Sequence, residues 1–127
     1  MPDHVPASLR VWFLAHFIAD MLFGIPLLLL PAFTLSLFGL SVTDLLFARL
    51  VGAALLGIGG ASLTMRRAGK EAYRAMLDLK IIWSLSAIFA ISLSLVGGAP
   101  KAVWGFLLIF IVFSVSWIYY RFMRLMR

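Results

Sequence analysis

Cysteine is absent from the 127 residues of this chain. Disulfide bonds, thiol nucleophiles and thiolate metal ligands are therefore excluded. Histidine is nearly as scarce, with two in the sequence, and only His16 falls inside an apolar run. One such histidine is too few for a zinc site or for a pair of axial haem ligands. We therefore expect no cofactor and no metal.

Charge is also scarce. Charged residues make up 13% of the chain and hydrophobic residues 64%, against about 25% and about 45–50% in a typical soluble domain. Together with a mean hydropathy of +1.09, this composition indicates an integral membrane protein. The net charge of +6 comes from bases clustered at the ends of apolar runs, where they can face lipid headgroups. We therefore predict membrane lipids as partners and no nucleic acid.

Four apolar segments account for most of the chain. The predicted helices cover approximately residues 8–30, 44–65, 72–96 and 102–123. Each is close to the ~20 residues that a bilayer requires. The connection over 31–43 is too short to span and predicts an interfacial turn or a short helix. The sequence thus predicts an all-α, four-helix transmembrane bundle that forms a single transmembrane domain over residues 1–127.

Basic residues are distributed unequally between the two predicted sides of the membrane. Lys101 lies in a loop of one side, with Arg49 one turn inside it, and eight bases flank the opposite side. Those eight are Arg10, Arg66, Arg67, Lys70, Arg74, Arg121, Arg124 and Arg127. The positive-inside rule then predicts a multi-pass protein of the cell (inner or plasma) membrane with both termini in the cytoplasm, N-in/C-in.

Ionisable side chains inside the predicted spans are the candidate ligand-binding or ion-binding residues. They are His16, Asp20, Arg49, Asp78 and Lys80. Asp20 lies near the middle of its span, where an ionisable group costs roughly 2.5 kcal/mol or more on insertion scales and usually faces a partner or a cavity. His16 precedes it by four residues and shares its helix face. Asp78 and Lys80 are two apart and point in different directions, so they do not pair with each other.

Structural interpretations of the same residues stay open beside the functional one. Asp20 could be a buried structural acid bonded to Arg49 or to serine hydroxyls. Arg49 and Lys80 could extend outward to headgroups or pair internally. Asp78 could simply lie at the interface, and His16 could be an ordinary polar packing residue.

The second predicted helix carries a face of small residues. Ala53, Gly57 and Ala61 are spaced by four and line one side of the helix. Such faces let two helices approach closely in lipid. We therefore predict that this face packs against another helix, either within the protomer or in another copy or membrane protein.

Two segments resemble a known group of proteins. The run from Phe47 to Gly60 (FARLVGAALLGIGG) and the run from Arg74 to Trp83 (RAMLDLKIIW) are similar to small, uncharacterised four-span membrane proteins of prokaryotes. The resemblance covers most of the chain and implies the four-span fold. That family has no assigned activity, so the resemblance implies no catalytic residue, cofactor or substrate.

Three hypotheses for function follow. The leading one is the binding or permeation of an ion, a proton or a small amphiphile through an intramembrane polar site. The alternative is a structural or scaffold protein that assembles through small-residue helix faces, including a possible homo-oligomer, without catalysis or transport. A lipid-modifying enzyme with His16 and Asp20 as an acid–base pair comes last, because nothing supplies a nucleophile or a metal.

Overall fold

The computed structural model describes residues 4–41 and 44–125, and these are all-helical with no β-strand. Arg127, one of the bases used to predict topology, lies outside the described residues. The elements are α1 (Ala7–Leu29), α2 (Pro31–Leu37), α3 (Leu46–Thr64), α4 (Lys70–Val96), α5 (Val103–Tyr119) and a π-helical turn (Tyr120–Arg124).

Four of these helices are long and apolar enough to cross a membrane: α1, α3, α4, and α5 extended by the π-helical turn to Arg124. The all-α prediction with four spans is therefore confirmed. Each predicted helix end lies within two residues of the observed one. This agreement arises because bilayer thickness sets the length of an apolar run.

The connection between α1 and α3 contains the short helix α2, one of the two forms predicted for it. Pro31 occupies the first turn of α2, where its missing N–H leaves no hydrogen bond unmade. Gly39, two residues after the end of α2, has a φ of 71°, a left-handed conformation that glycine adopts without strain. At the start of α3, the amide of Leu46 donates to Oδ1 of Asp44 at 2.9 Å.

The chain forms two compact units. One comprises Val11–Arg66 and is called the α1–α3 unit below; it contains α1 from Val11 onward and the whole of α2 and α3. The other comprises Met1–Arg10 together with Arg67–Arg127 and is called the α4–α5 unit. The single-domain organisation over residues 1–127 stays a prediction.

Glycines bring two helices together in the α1–α3 unit. A Cβ placed on Gly52 would lie 2.8 Å from the carbonyl oxygen of Gly24 and 2.8 Å from the amide nitrogen of Leu28. The backbones of α1 and α3 are therefore in direct contact at this point, which only a residue without a side chain permits. Further along, Gly59 of α3 meets Asp20 of α1, so the two helices run antiparallel.

The contact face of α3 differs from the predicted one. Ala53 and Gly57 are exposed and Ala61 is half-buried, and a Cβ on Gly57 would meet no described atom within 4 Å. Gly52 and Gly59, seven residues apart, share the buried face instead, and Gly57 lies on the opposite side of the helix. The predicted face is therefore not the one that α3 uses against α1. Its contact with another copy or protein stays a prediction.

Aromatic side chains bring two helices together in the α4–α5 unit. α4 and α5 are joined by a turn of six residues, 97–102, and such short connections place consecutive helices antiparallel. The rings of Trp83 and Phe110 pack edge-on, with their centroids 6.1 Å apart. At the far end, the hydroxyl groups of Tyr120 and Ser8 are hydrogen-bonded at 2.6 Å, which fastens the N-terminal residues of this unit to the π-helical turn.

Candidate intramembrane polar site

His16 and Asp20 form a buried pair in α1. Nε2 of His16 lies 3.4 Å from Oδ1 of Asp20, and each residue is only 5% exposed. The helical period places side chains four residues apart one above the other, so the proximity follows directly from the spacing of these residues. Asp20 is the fourteenth of the 23 residues of α1, which puts the pair near the middle of a membrane-spanning helix.

Gly59 of α3 closes the site on the side of the carboxylate. A Cβ at this position would lie 2.6 Å from Cβ of Asp20 and 3.1 Å from its Oδ2. A real Cβ does not approach another atom this closely, so the Asp20 side chain fills the space that a side chain at position 59 would need. The sequence interpretation missed Gly59. Its seven-residue spacing from Gly52, which puts both on one helix face, is the signal that could have found it.

Arg49 does not belong to this site. It is exposed and makes no ion pair with any described residue. The antiparallel register explains why. Asp20 meets α3 at Gly59, ten residues beyond Arg49, and ten helical residues correspond to about 15 Å. The structural interpretation in which Arg49 pairs with Asp20 is therefore wrong.

Lys80 is buried in the α4–α5 unit. It is 1% exposed, and its Nζ lies 5.0 Å from the centre of the Trp117 ring. An ammonium over an indole face is attracted by the negative potential of the π-system. Of the two structural alternatives for Lys80, the outward extension to headgroups is therefore wrong. The contact with Trp117 was not predicted from the sequence.

Several uncharged polar groups are buried along the same two helices. The hydroxyl of Ser84, one turn beyond Lys80, donates to the carbonyl of Ile81 at 3.2 Å, which is ordinary back-bonding within a helix. Nε1 of Trp83 and Oγ of Ser114 are buried and make no hydrogen bond with any described residue. A buried polar atom without a partner carries a desolvation cost of about 1–3 kcal/mol.

Asp78 points away from Lys80, as predicted. Its side chain is half-exposed and pairs with Arg121, whose Nε donates to Oδ1 at 2.6 Å and whose Nη2 donates to Oδ2 at 3.5 Å. The sequence offered a signal for this pair. A short turn centred near residue 99 places residue 78 opposite residues close to 120 on the next helix, just as it places Lys80 opposite Trp117.

No family model, no curated protein and no solved structure matches this chain. The likeness to small four-span prokaryotic proteins therefore stays a prediction. The class is defined by the fold alone: the four apolar helices are those of a multi-pass α-helical membrane protein. Within that class, the buried ionisable side chains distinguish this chain from a purely apolar bundle.

Proposed function

We propose that this protein binds a proton at an intramembrane site formed by His16 and Asp20, and that exchange of this proton is part of its function. The observation that carries the proposal is the burial of the pair. An imidazole and a carboxylate lie 3.4 Å apart near the middle of a helix that can span a bilayer. Ionisable residues at that depth are costly, and they mark proton and ion pathways in membrane proteins.

The donor set favours a proton over a metal ion or an amphiphile. Among residues 4–41 and 44–125, no group of three or more histidine, cysteine or acidic side chains is placed to hold a metal. Imidazole is the side chain whose unperturbed charge change lies nearest neutral pH, and a neighbouring carboxylate can accept or share its proton. The close fit of Asp20 against Gly59 leaves little room there for an amphiphile.

Proton movement into liposomes tests the proposal. The full chain is reconstituted into vesicles that contain a pH-sensitive dye, and a potassium diffusion potential provides the driving force. We expect proton uptake above that of empty vesicles and its loss in Asp20→Asn and His16→Gln. Asp44→Asn is the matched control, because Asp44 is an exposed acid outside the spans. Equal uptake in the wild type and both site variants would contradict the proposal.

We also propose that the protein lies in the cell membrane with both termini in the cytoplasm. The one-sided distribution of lysine and arginine supports this orientation. Because the chain has no cysteine, single cysteines at His4, Arg67 and Lys101 can each be labelled without interference. A membrane-impermeant maleimide added to intact cells is expected to label position 101 only. Labelling at position 4 or 67 would contradict the orientation.

A structural role is the second candidate, and the open face of α3 favours it. Ala53 and Gly57 are exposed, and the space around Gly57 is free of described atoms within 4 Å, so a second helix could approach closely there. We expect Gly57→Leu to reduce the size of the oligomer in detergent if this face mediates assembly. An unchanged mass by light scattering would contradict a scaffold role through this face.

A further inference from the structure

We propose that an open depression at the end of the α4–α5 unit binds the headgroup of a zwitterionic phospholipid with a primary ammonium, such as phosphatidylethanolamine. The depression has a volume of about 390 Å³. Its lining residues are Glu71, Arg74, Ala75, Asp78 and Arg121. The lining includes neither His16 nor Asp20, and the inference does not depend on the proposed proton binding.

The length of α4 places the depression at the level of lipid headgroups. α4 has 27 residues, so it is about 40 Å long, whereas the hydrocarbon core of a bilayer is about 30 Å thick. One end must therefore extend beyond the hydrocarbon. That end is the N-terminal one, because Glu71, Arg74 and Asp78 lie in its first three turns and no charged residue follows Lys80 before the helix ends.

Two charged side chains of the depression are available to a ligand. Glu71 is exposed and Arg74 half-buried, and neither side chain makes a hydrogen bond or ion pair with any described residue. Arg74 lies four residues before Asp78 on α4, yet Asp78 pairs with Arg121 instead. A guanidinium without a partner among the described residues thus lies beside an ion pair whose carboxylate is still half-exposed and can accept further hydrogen bonds.

The signs of the charges select the ligand. Two guanidinium groups, from Arg74 and Arg121, can hold a phosphate by charge-assisted hydrogen bonds. Two carboxylates, from Glu71 and Asp78, can accept hydrogen bonds from an ammonium. The lining carries no net charge, with two arginines and two acids, so an anionic headgroup would make the occupied site negative and would bring no ammonium to the two carboxylates. A choline headgroup has no N–H to donate, so a primary ammonium is the better match.

Competition between lipids tests the proposal. The purified full chain is equilibrated with equal amounts of phosphatidylethanolamine, phosphatidylglycerol and phosphatidylcholine bearing the same acyl chains, and retained lipid is measured by native mass spectrometry. We expect phosphatidylethanolamine to be retained preferentially. Arg74→Gln should weaken that retention roughly tenfold, as expected for the loss of one charge-assisted hydrogen bond. Glu71→Gln should remove the preference over phosphatidylglycerol.

Arg67→Gln is the matched control, because Arg67 is an exposed arginine of the preceding turn that does not line the depression; its lipid retention should equal that of the wild type. Thermal unfolding verifies that each variant is folded. If Arg74→Gln does not fold, the lipid preference of Glu71→Gln tests the proposal. Equal retention of the three lipids, or a preference unchanged in the folded variants, would overturn the proposal. Displacement of the lipid by an equal concentration of soluble phosphoethanolamine would identify a free metabolite rather than a lipid as the ligand.

Discussion

The two units of this chain bury charged groups by opposite means. In the α1–α3 unit, glycines bring the backbones into contact, and the Asp20 carboxylate fills the gap that Gly59 leaves. In the α4–α5 unit, aromatic side chains of the two helices are in contact, and the ammonium of Lys80 lies over the aromatic ring of Trp117. An acid thus lies against a glycine and a base against a tryptophan.

The difference has a physical reason. A carboxylate is short and needs a closely approaching neighbour to shield it from lipid, whereas a lysine has a long apolar stem that packs well beside wide side chains. The contact between α1 and α3 involves backbone atoms, which cannot rotate away from an added methyl group. The contact between α4 and α5 involves side chains, which can adjust. We therefore expect the α1–α3 unit to tolerate substitution less well.

The largest effect is expected from Gly52→Ala. The added methyl would overlap two backbone atoms at 2.8 Å, so α1 and α3 must move apart, and overpacking of this kind typically costs about 1–3 kcal/mol. Thermal unfolding in detergent measures the loss. Gly57→Ala is the matched control in the same helix, where open space and the higher helix propensity of alanine predict a gain of up to about 1 kcal/mol. Equal stability of the two variants would remove the distinction between the faces of α3.

An intermediate effect is expected from separating Lys80 from Trp117. A double-mutant cycle of Lys80→Met and Trp117→Leu should give a coupling free energy of about 0.5–2 kcal/mol, the range for cation–π contacts. Lys101→Met, which removes an exposed lysine of a turn, should change stability by less than about 0.5 kcal/mol. Strictly additive losses in the cycle would show that the ring does not stabilise the ammonium.

The smallest effect is expected at the Asp78–Arg121 pair. Its carboxylate side chain is 50% exposed, so solvent screens the attraction and the coupling between Asp78→Asn and Arg121→Gln should be about 0.2–1 kcal/mol. Because exposed charges are screened by ions, the coupling should shrink as salt is added. A larger coupling that does not respond to salt would mean that the pair is shielded by lipid.

The lengths of the spans and the His16–Asp20 contact were predictable, because both depend on local rules: bilayer thickness for the first and the helical period for the second. The face of α3 that contacts α1 was not predictable from the sequence. Glycine or alanine occurs on more than one side of that helix, at Gly52, Ala53 and Gly57 among others, and only the partner helix selects one. The mistaken pairing of Arg49 with Asp20 has the same origin, since the register between two helices is a property of both.

The most direct test of the central claim, that Asp20 exchanges a proton within the membrane, is infrared difference spectroscopy of the reconstituted protein as the bulk pH is changed. The contribution of Asp20 is identified by comparison with Asp20→Asn. A carboxyl band that is present in the wild type, absent from Asp20→Asn and responsive to pH is the expected result. The band should also move in Gly59→Ala, because the added methyl displaces the carboxylate from its position against α3. A spectrum in which no Asp20-dependent band responds to pH would contradict the claim and leave Asp20 a structural acid.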